Sequence, residues 1–204
     1  MLQPADEQNA GEHGLENLGA LFATALWAFP FFLHIRVPVL HVLPDVGGWV
    51  VALVAVLRLR APEGRVLRRT AAAGLVLSLC RITVFRLTGS ETALFTLHAP
   101  GLLAAVVFVW GLCGLVASAA RERDYGDLQR RAVWGRRLFI VHASLAYGGG
   151  LALRVVGGGL IGLVAVLIVT LASALILSYV MALLASAARM CRVELRAESS
   201  GQPA

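Results

Sequence analysis

The sequence predicts an all-α fold: a polytopic transmembrane helical bundle of about six spans, with both termini on the cytoplasmic side. Three observations carry that prediction. First, 58% of the 204 residues are hydrophobic and only 15% are charged, where soluble proteins carry about 25% charged residues. Second, the apolar residues gather in runs of roughly 17 to 25, the length that crosses a ~30 Å hydrocarbon core at helical rise. A helix on a soluble domain would interrupt such runs with a polar face. Third, the chain has no lysine, and 14 of its 18 arginines fall in three clusters (five in residues 58–69, six in 121–137, three in 189–196) on alternate connections between apolar runs. Arginine-rich short loops stay in the cytoplasm, so this alternation sets the threading.

The opening stretch, residues 1–17, carries Asp6, Glu7, Glu12 and Glu16 and no basic residue. A cleavable signal peptide needs a positive region ahead of its apolar stretch, so the first span is expected to stay attached as an anchor. The membrane domain is expected over residues 18–188, followed by a basic and then polar cytoplasmic tail at 189–204.

Span one is read over residues 18–35, kinked at Pro30. Span two, 44–57, is short, opened by Pro44 and by Asp45 as N-cap. The segment 37–43 beside it reads as a stretch that dips into the interface. Spans three and four are read at 70–87 and 100–120. Span five is read at 138–156 and span six at 158–188; the latter, about 45 Å long, must tilt or project. The connections holding Arg36, Arg86 and Arg154 then lie outside. The stretch 121–137, with Tyr125 and Trp134 among its arginines, reads as an inner loop with aromatic anchors on lipid headgroups.

Arg81 is the costly residue, because an arginine near mid-depth costs roughly +2.5 to +3.5 kcal/mol. It is expected to face the interior, near Asp45, with Arg86, His34 and His98 toward the same outer end: a candidate intramembrane polar site that either pairs internally or receives an anionic solute. Outward snorkelling by the long Arg81 side chain is the further alternative. No two of His13, His34, His41, His98 and His142 have the spacing that puts two ligands on one helix face, so no metal site is expected. His142 reads as a hydrogen-bonding core residue. Cys80, Cys113 and Cys191 are too widely spaced for a metal or redox motif. No catalytic arrangement and no cofactor motif is visible, and the glycines at 148–150 and 157–159 follow no strand, so neither cradles a phosphate.

Span six carries a small-residue stripe at four-residue steps: Gly158, Gly162, Thr170, Ala174, Ser178, Ala182 and Ser186, interrupted by Val166. Small side chains let another backbone approach, so span six is expected to be the central packing helix, with a dimer interface as the alternative. Gly111, Gly114, Ala117 and Ser118 give span four a shorter version. The net charge of +6 is spread over membrane-flanking clusters. It therefore points to anionic headgroups of the bilayer rather than to nucleic acid.

The run Leu43-Pro44-Asp45-Val46-Gly47-Gly48-Trp49, followed by apolar residues up to Arg58, resembles a group of uncharacterised bacterial multi-pass proteins in which Leu-Pro-Asp-x-x-Gly-Tyr/Trp opens a short apolar span with a basic end. Gly47 departs from the branched aliphatic usual there. The resemblance implies a bacterial inner-membrane protein and supplies no activity. The function expected is a non-enzymatic membrane-embedded interaction or accessory subunit, with a membrane protein partner or a second copy. The alternatives are a small transporter or channel for an anionic or protonatable solute and, third, a membrane enzyme.

Overall fold

A computed structural model describes residues 5–27, 42–57, 63–89, 91–156 and 159–200, and all of its regular elements there are helices. They are α1 (Ala5–Leu26), α2 (Val42–Leu57), α3 (Glu63–Thr88), α4 (Glu91–Glu122), α5 (Gly126–Val156) and α6 (Leu160–Ser200). Three of them hold stretches long and apolar enough to cross a membrane: Gly64–Thr88, Thr96–Glu122 and Leu160–Ala197. Leu15–Leu26 and Val46–Leu57 are shorter apolar helices.

Consecutive helices from α2 onward pack as antiparallel neighbours, and α1 closes against α6 and α2. Glycines set the registers, because each marks where a neighbour presses on a backbone. Gly111 of α4 receives Leu67 of α3, Gly149 of α5 receives Val169 of α6, and Gly135 of α5 lies against both Cys113 of α4 and Leu183 of α6. Around that level sits the core, from Phe22 and Val56 through Phe108, Leu112 and Phe139 to Val180 and Leu184. Trp49 meets Phe108 edge-on at 5.8 Å.

These registers sort the arginines by end. Arg65, Arg68 and Arg69 begin α3, Arg121 and Arg123 close α4, and Arg130, Arg131, Arg136 and Arg137 begin α5. Arg189, Arg192 and Arg196 lie in the closing third of α6. Antiparallel packing gathers all of these at one end, while Arg81 and Arg86 of α3 and Arg154 of α5 occupy the other. A second marker lies at the arginine-rich end. Trp134 adjoins Gly135 and Trp110 is three residues from Cys113. These two indoles therefore share one level, and both are exposed, at 44% (Trp110) and 56% (Trp134).

Several element boundaries differ from those read in the sequence. Apolar runs mark how deep a segment is buried in lipid, whereas a helix continues as long as its backbone bonds are satisfied. Thus α3 starts at Glu63 instead of residue 70, and α4 starts at Glu91, with Pro100 inside it. The inner loop at 121–137 contracts to a turn at Arg123–Tyr125, because α5 starts at Gly126. There Asp124 takes a left-handed φ of 58°. The Tyr125 amide donates to the Ala120 carbonyl at 2.9 Å and the Asp124 amide to Arg121 at 3.4 Å, the bond pair that closes a helix in a Schellman turn. Asp45 is the fourth residue of α2, which begins at Val42, so it is not the N-cap.

At the two chain ends the differences are larger. The helix expected at 18–35 instead runs over Ala5–Leu26, while Pro30, His34 and the segment 37–41 lie outside the described residues. Because Gly19 meets Cys191, α1 lies beside the closing third of α6. Through the stretch read as a basic tail from residue 189, α6 continues to Ser200, with Met190 and Cys191 buried.

The stripe on span six is placed otherwise than expected for monomer packing. The buried face of α6 is Ile176, Leu177, Val180, Leu183, Leu184, Ala187 and Ala188. Gly162 is buried, but Thr170, Ser178 and Ala182 are exposed, and Ala174 and Ser186 half-buried; Gly158 is outside the described residues. Four-residue steps advance about 400°, so such a stripe drifts by about 40° per step and winds off the contact face. Larger side chains fill the core instead.

Candidate functional site

The buried stripe of α3 is Leu67, Ala71, Gly74 and Ser78, at steps of three and four, and Arg81 continues it half-buried. Steps of this kind stay on one helix face. That face meets α2 at Gly74, where the Trp49 indole lies directly on the glycine backbone. One turn outward from Trp49 is position 45, and one turn outward from Gly74 is Ser78. The α2–α3 register therefore brings the backbone at Asp45 beside Ser78, with Arg81 about 4.5 Å further along the axis.

His98 reaches the same depth from α4. Arg81 is 14 residues past Leu67 and His98 is 13 residues before Gly111, and Leu67 and Gly111 touch. Both residues thus stand about 20 Å from a common reference level, and His98 is half-buried. Two residues on, Pro100 lies inside α4 and cannot supply the amide donor that the Thr96 carbonyl would receive in an unbroken helix. The backbone here is softened just where the imidazole sits.

Of the residues singled out in the sequence, Asp45, Arg81 and His98 are brought to one layer near the far end. Arg86 is not among them: it lies five residues beyond Arg81, about 7.5 Å further out, and is exposed. His34 lies outside the described residues. The guanidinium of Arg81 and the imidazole of His98 at one depth, beside the α2 backbone at Asp45, form a layer able to hold an anionic group. Among the described residues no three His, Cys, Asp or Glu side chains gather as metal ligands.

His142, read in the sequence as a core residue, is buried, its ring 5.2 Å from Phe139. One further polar feature went unread. Arg136 reaches across from α5 so that its guanidinium lies over the Trp110 ring, 5.2 Å from the centroid. Gly114 leaves room for it: a Cβ there would stand 2.6 Å from Arg136 Nη2. A signal existed, since Leu128, Ala132, Gly135, Phe139 and His142 recur at steps of three and four through the arginines. That is a helical period in a stretch read as a loop. No family model matches the chain, and no curated protein or solved structure matches it either.

Proposed function

We propose that the chain is a multi-pass protein of the bacterial inner membrane, with six crossings and both termini in the cytoplasm, that serves as a membrane-embedded interaction subunit without an enzymatic activity of its own. The observation that carries the threading is the spacing of charge along the bundle. Arg154 lies 19 residues past Gly135 in one helix, about 28 Å, which matches a ~30 Å hydrocarbon core. Trp110 and Trp134 stand at its arginine-rich edge, where amphipathic rings settle at a membrane interface. The arginine-rich end is then cytoplasmic, and α1 lies beyond the interface on that side. The run at Leu43–Trp49, with its likeness to bacterial multi-pass proteins, supports the same placement.

The interaction role rests on the open face of α6. Thr170, Ser178 and Ala182 are exposed beside exposed Leu167, Leu171 and Leu175, a combination that suits close approach of another helix. A photo-crosslinking residue at Ser178, activated in native membranes, should give one discrete heavier species, either a partner or a second copy. Adducts to lipid alone would remove this reading.

The transporter reading is favoured by the Asp45, Arg81 and His98 layer. It requires that purified protein in liposomes move an anionic or protonatable solute, and that Arg81→Ala stop the movement while the bundle stays assembled.

A further inference from the structure

Where α5 and α6 separate at the arginine-rich end they leave a groove of about 270 Å³. Its walls carry Arg131 of α5 and Arg189 of α6, and its floor includes Leu128, Met190 and Val193. Both arginines are exposed, and no ion pair engages either among the described residues. Asp127 also lines the groove, and its carboxylate is paired with Arg130 at 2.6 Å; Glu194 accepts from the Tyr125 hydroxyl at 2.8 Å. Arg189 donates its Nε to the Ala185 carbonyl at 3.4 Å, which leaves its two terminal amino groups for another acceptor. Tyr179 ties the walls together by donating to the Arg131 carbonyl at 3.1 Å.

Depth identifies the occupant. Arg131 is four residues from Gly135 and Arg189 six from Leu183. They therefore lie about 6 and 9 Å beyond the tryptophan level, on the side away from the hydrocarbon. Headgroups occupy roughly 5 to 8 Å on each side of a ~30 Å core within a bilayer of 40–45 Å overall. Two guanidiniums at that depth, beside an apolar floor, suit a phosphate monoanion. Ser186 also lines the groove, and its small side chain leaves room for an acyl chain.

We propose that Arg131 and Arg189 hold the headgroup phosphate of one anionic phospholipid of the cytoplasmic leaflet in the groove between α5 and α6. This rests on the membrane reading above, and the test separates the two. Full-length protein is reconstituted into bilayer discs of phosphatidylcholine alone or with phosphatidylglycerol, then released into mild detergent, and the retained lipid is counted by native mass spectrometry. Wild type should integrate into both discs and retain one phosphatidylglycerol with a preference of about tenfold or more. Arg131→Gln and Arg189→Gln should each weaken that preference about fivefold and together abolish it. Arg192→Gln, which removes the same charge at the same end of α6 but outside the groove, should keep it. Integration without a preference for phosphatidylglycerol, or an equal loss in Arg192→Gln, overturns the site alone. Failure of wild type to integrate into either disc overturns the site and the membrane reading together.

Discussion

Gly19 of α1 lies against Cys191 of α6, so closely that a Cβ on the glycine would stand 3.1 Å from the Cys191 Cβ. This contact fixes α1 beside the closing third of α6 and accounts for the burial of Cys191. A larger side chain must separate the helices. Gly19→Leu is expected to raise the rate of maleimide labelling at Cys191 by at least about tenfold, read on the Cys191 peptide, because about 1.4 kcal/mol of lost packing is a tenfold change in opening. Unchanged protection would mean that α1 is not seated there.

At Gly74 the neighbour cannot give way, since the Trp49 indole is itself packed against Phe108. Gly74→Ala should therefore cost about 1–3 kcal/mol of stability by overpacking. Thermal unfolding in detergent checks this, and a neutral or stabilising alanine would show that the α2–α3 register is misplaced. The position next to Arg81 would move with it.

Asp124 holds the α4–α5 turn with a φ of 58°, a conformation that costs an L-residue roughly 1–2 kcal/mol, less for Asp. Replacement by glycine is expected to raise the unfolding midpoint modestly. Asp124→Val should lower stability by about 1–2 kcal/mol, since a β-branched residue tolerates this region worst. The order glycine, aspartate, valine is the quantity to measure.

The hydrogen bond to the Glu194 carboxylate, aided by burial and by the charge on that carboxylate, pushes the Tyr125 hydroxyl above its ordinary value of 10.0. A tyrosine with a raised folded value contributes stability that is fully present below pH 10 and lost as pH rises through the folded value. Subtracting the phenolate absorbance titration of Tyr125→Phe from that of wild type should give a midpoint above 10. A midpoint at or below 10 would mean that the bond is not made. In neutral buffer Tyr125→Phe should cost less than about 1 kcal/mol, since the pair is exposed to solvent.

The legible part of this molecule was set by local chemistry. Each arginine cluster lies beside its own apolar run, so the alternation that sorts Arg65–Arg69, Arg121–Arg137 and Arg189–Arg196 to one end needed no tertiary information. The buried stripe of α3 is periodic in the sequence too: Leu67, Ala71, Gly74 and Ser78 recur at helical steps, with half-buried Arg81 next in the series. What stayed hidden depends on partners far away in sequence. Tyr125 and Glu194 are 69 residues apart, and nothing near Gly19 announces Cys191. The small stripe of α6 misled because small size permits contact without requiring it. Burial on α6 went to Leu177, Val180 and Leu184, which have more apolar surface to remove from water.

The threading is tested most directly by membrane-impermeant labelling of single reporter sites in intact and opened cells. One reporter goes in the turn after Gly89 and the other in the turn at Gly126, which join α3 to α4 and α4 to α5. Six crossings with the arginine-rich end inside predict that the Gly89 site reacts in intact cells and the Gly126 site only after opening. Both sites reacting from the same compartment would contradict the threading, and the cytoplasmic placement of α1 and of the Arg131–Arg189 groove would fall with it.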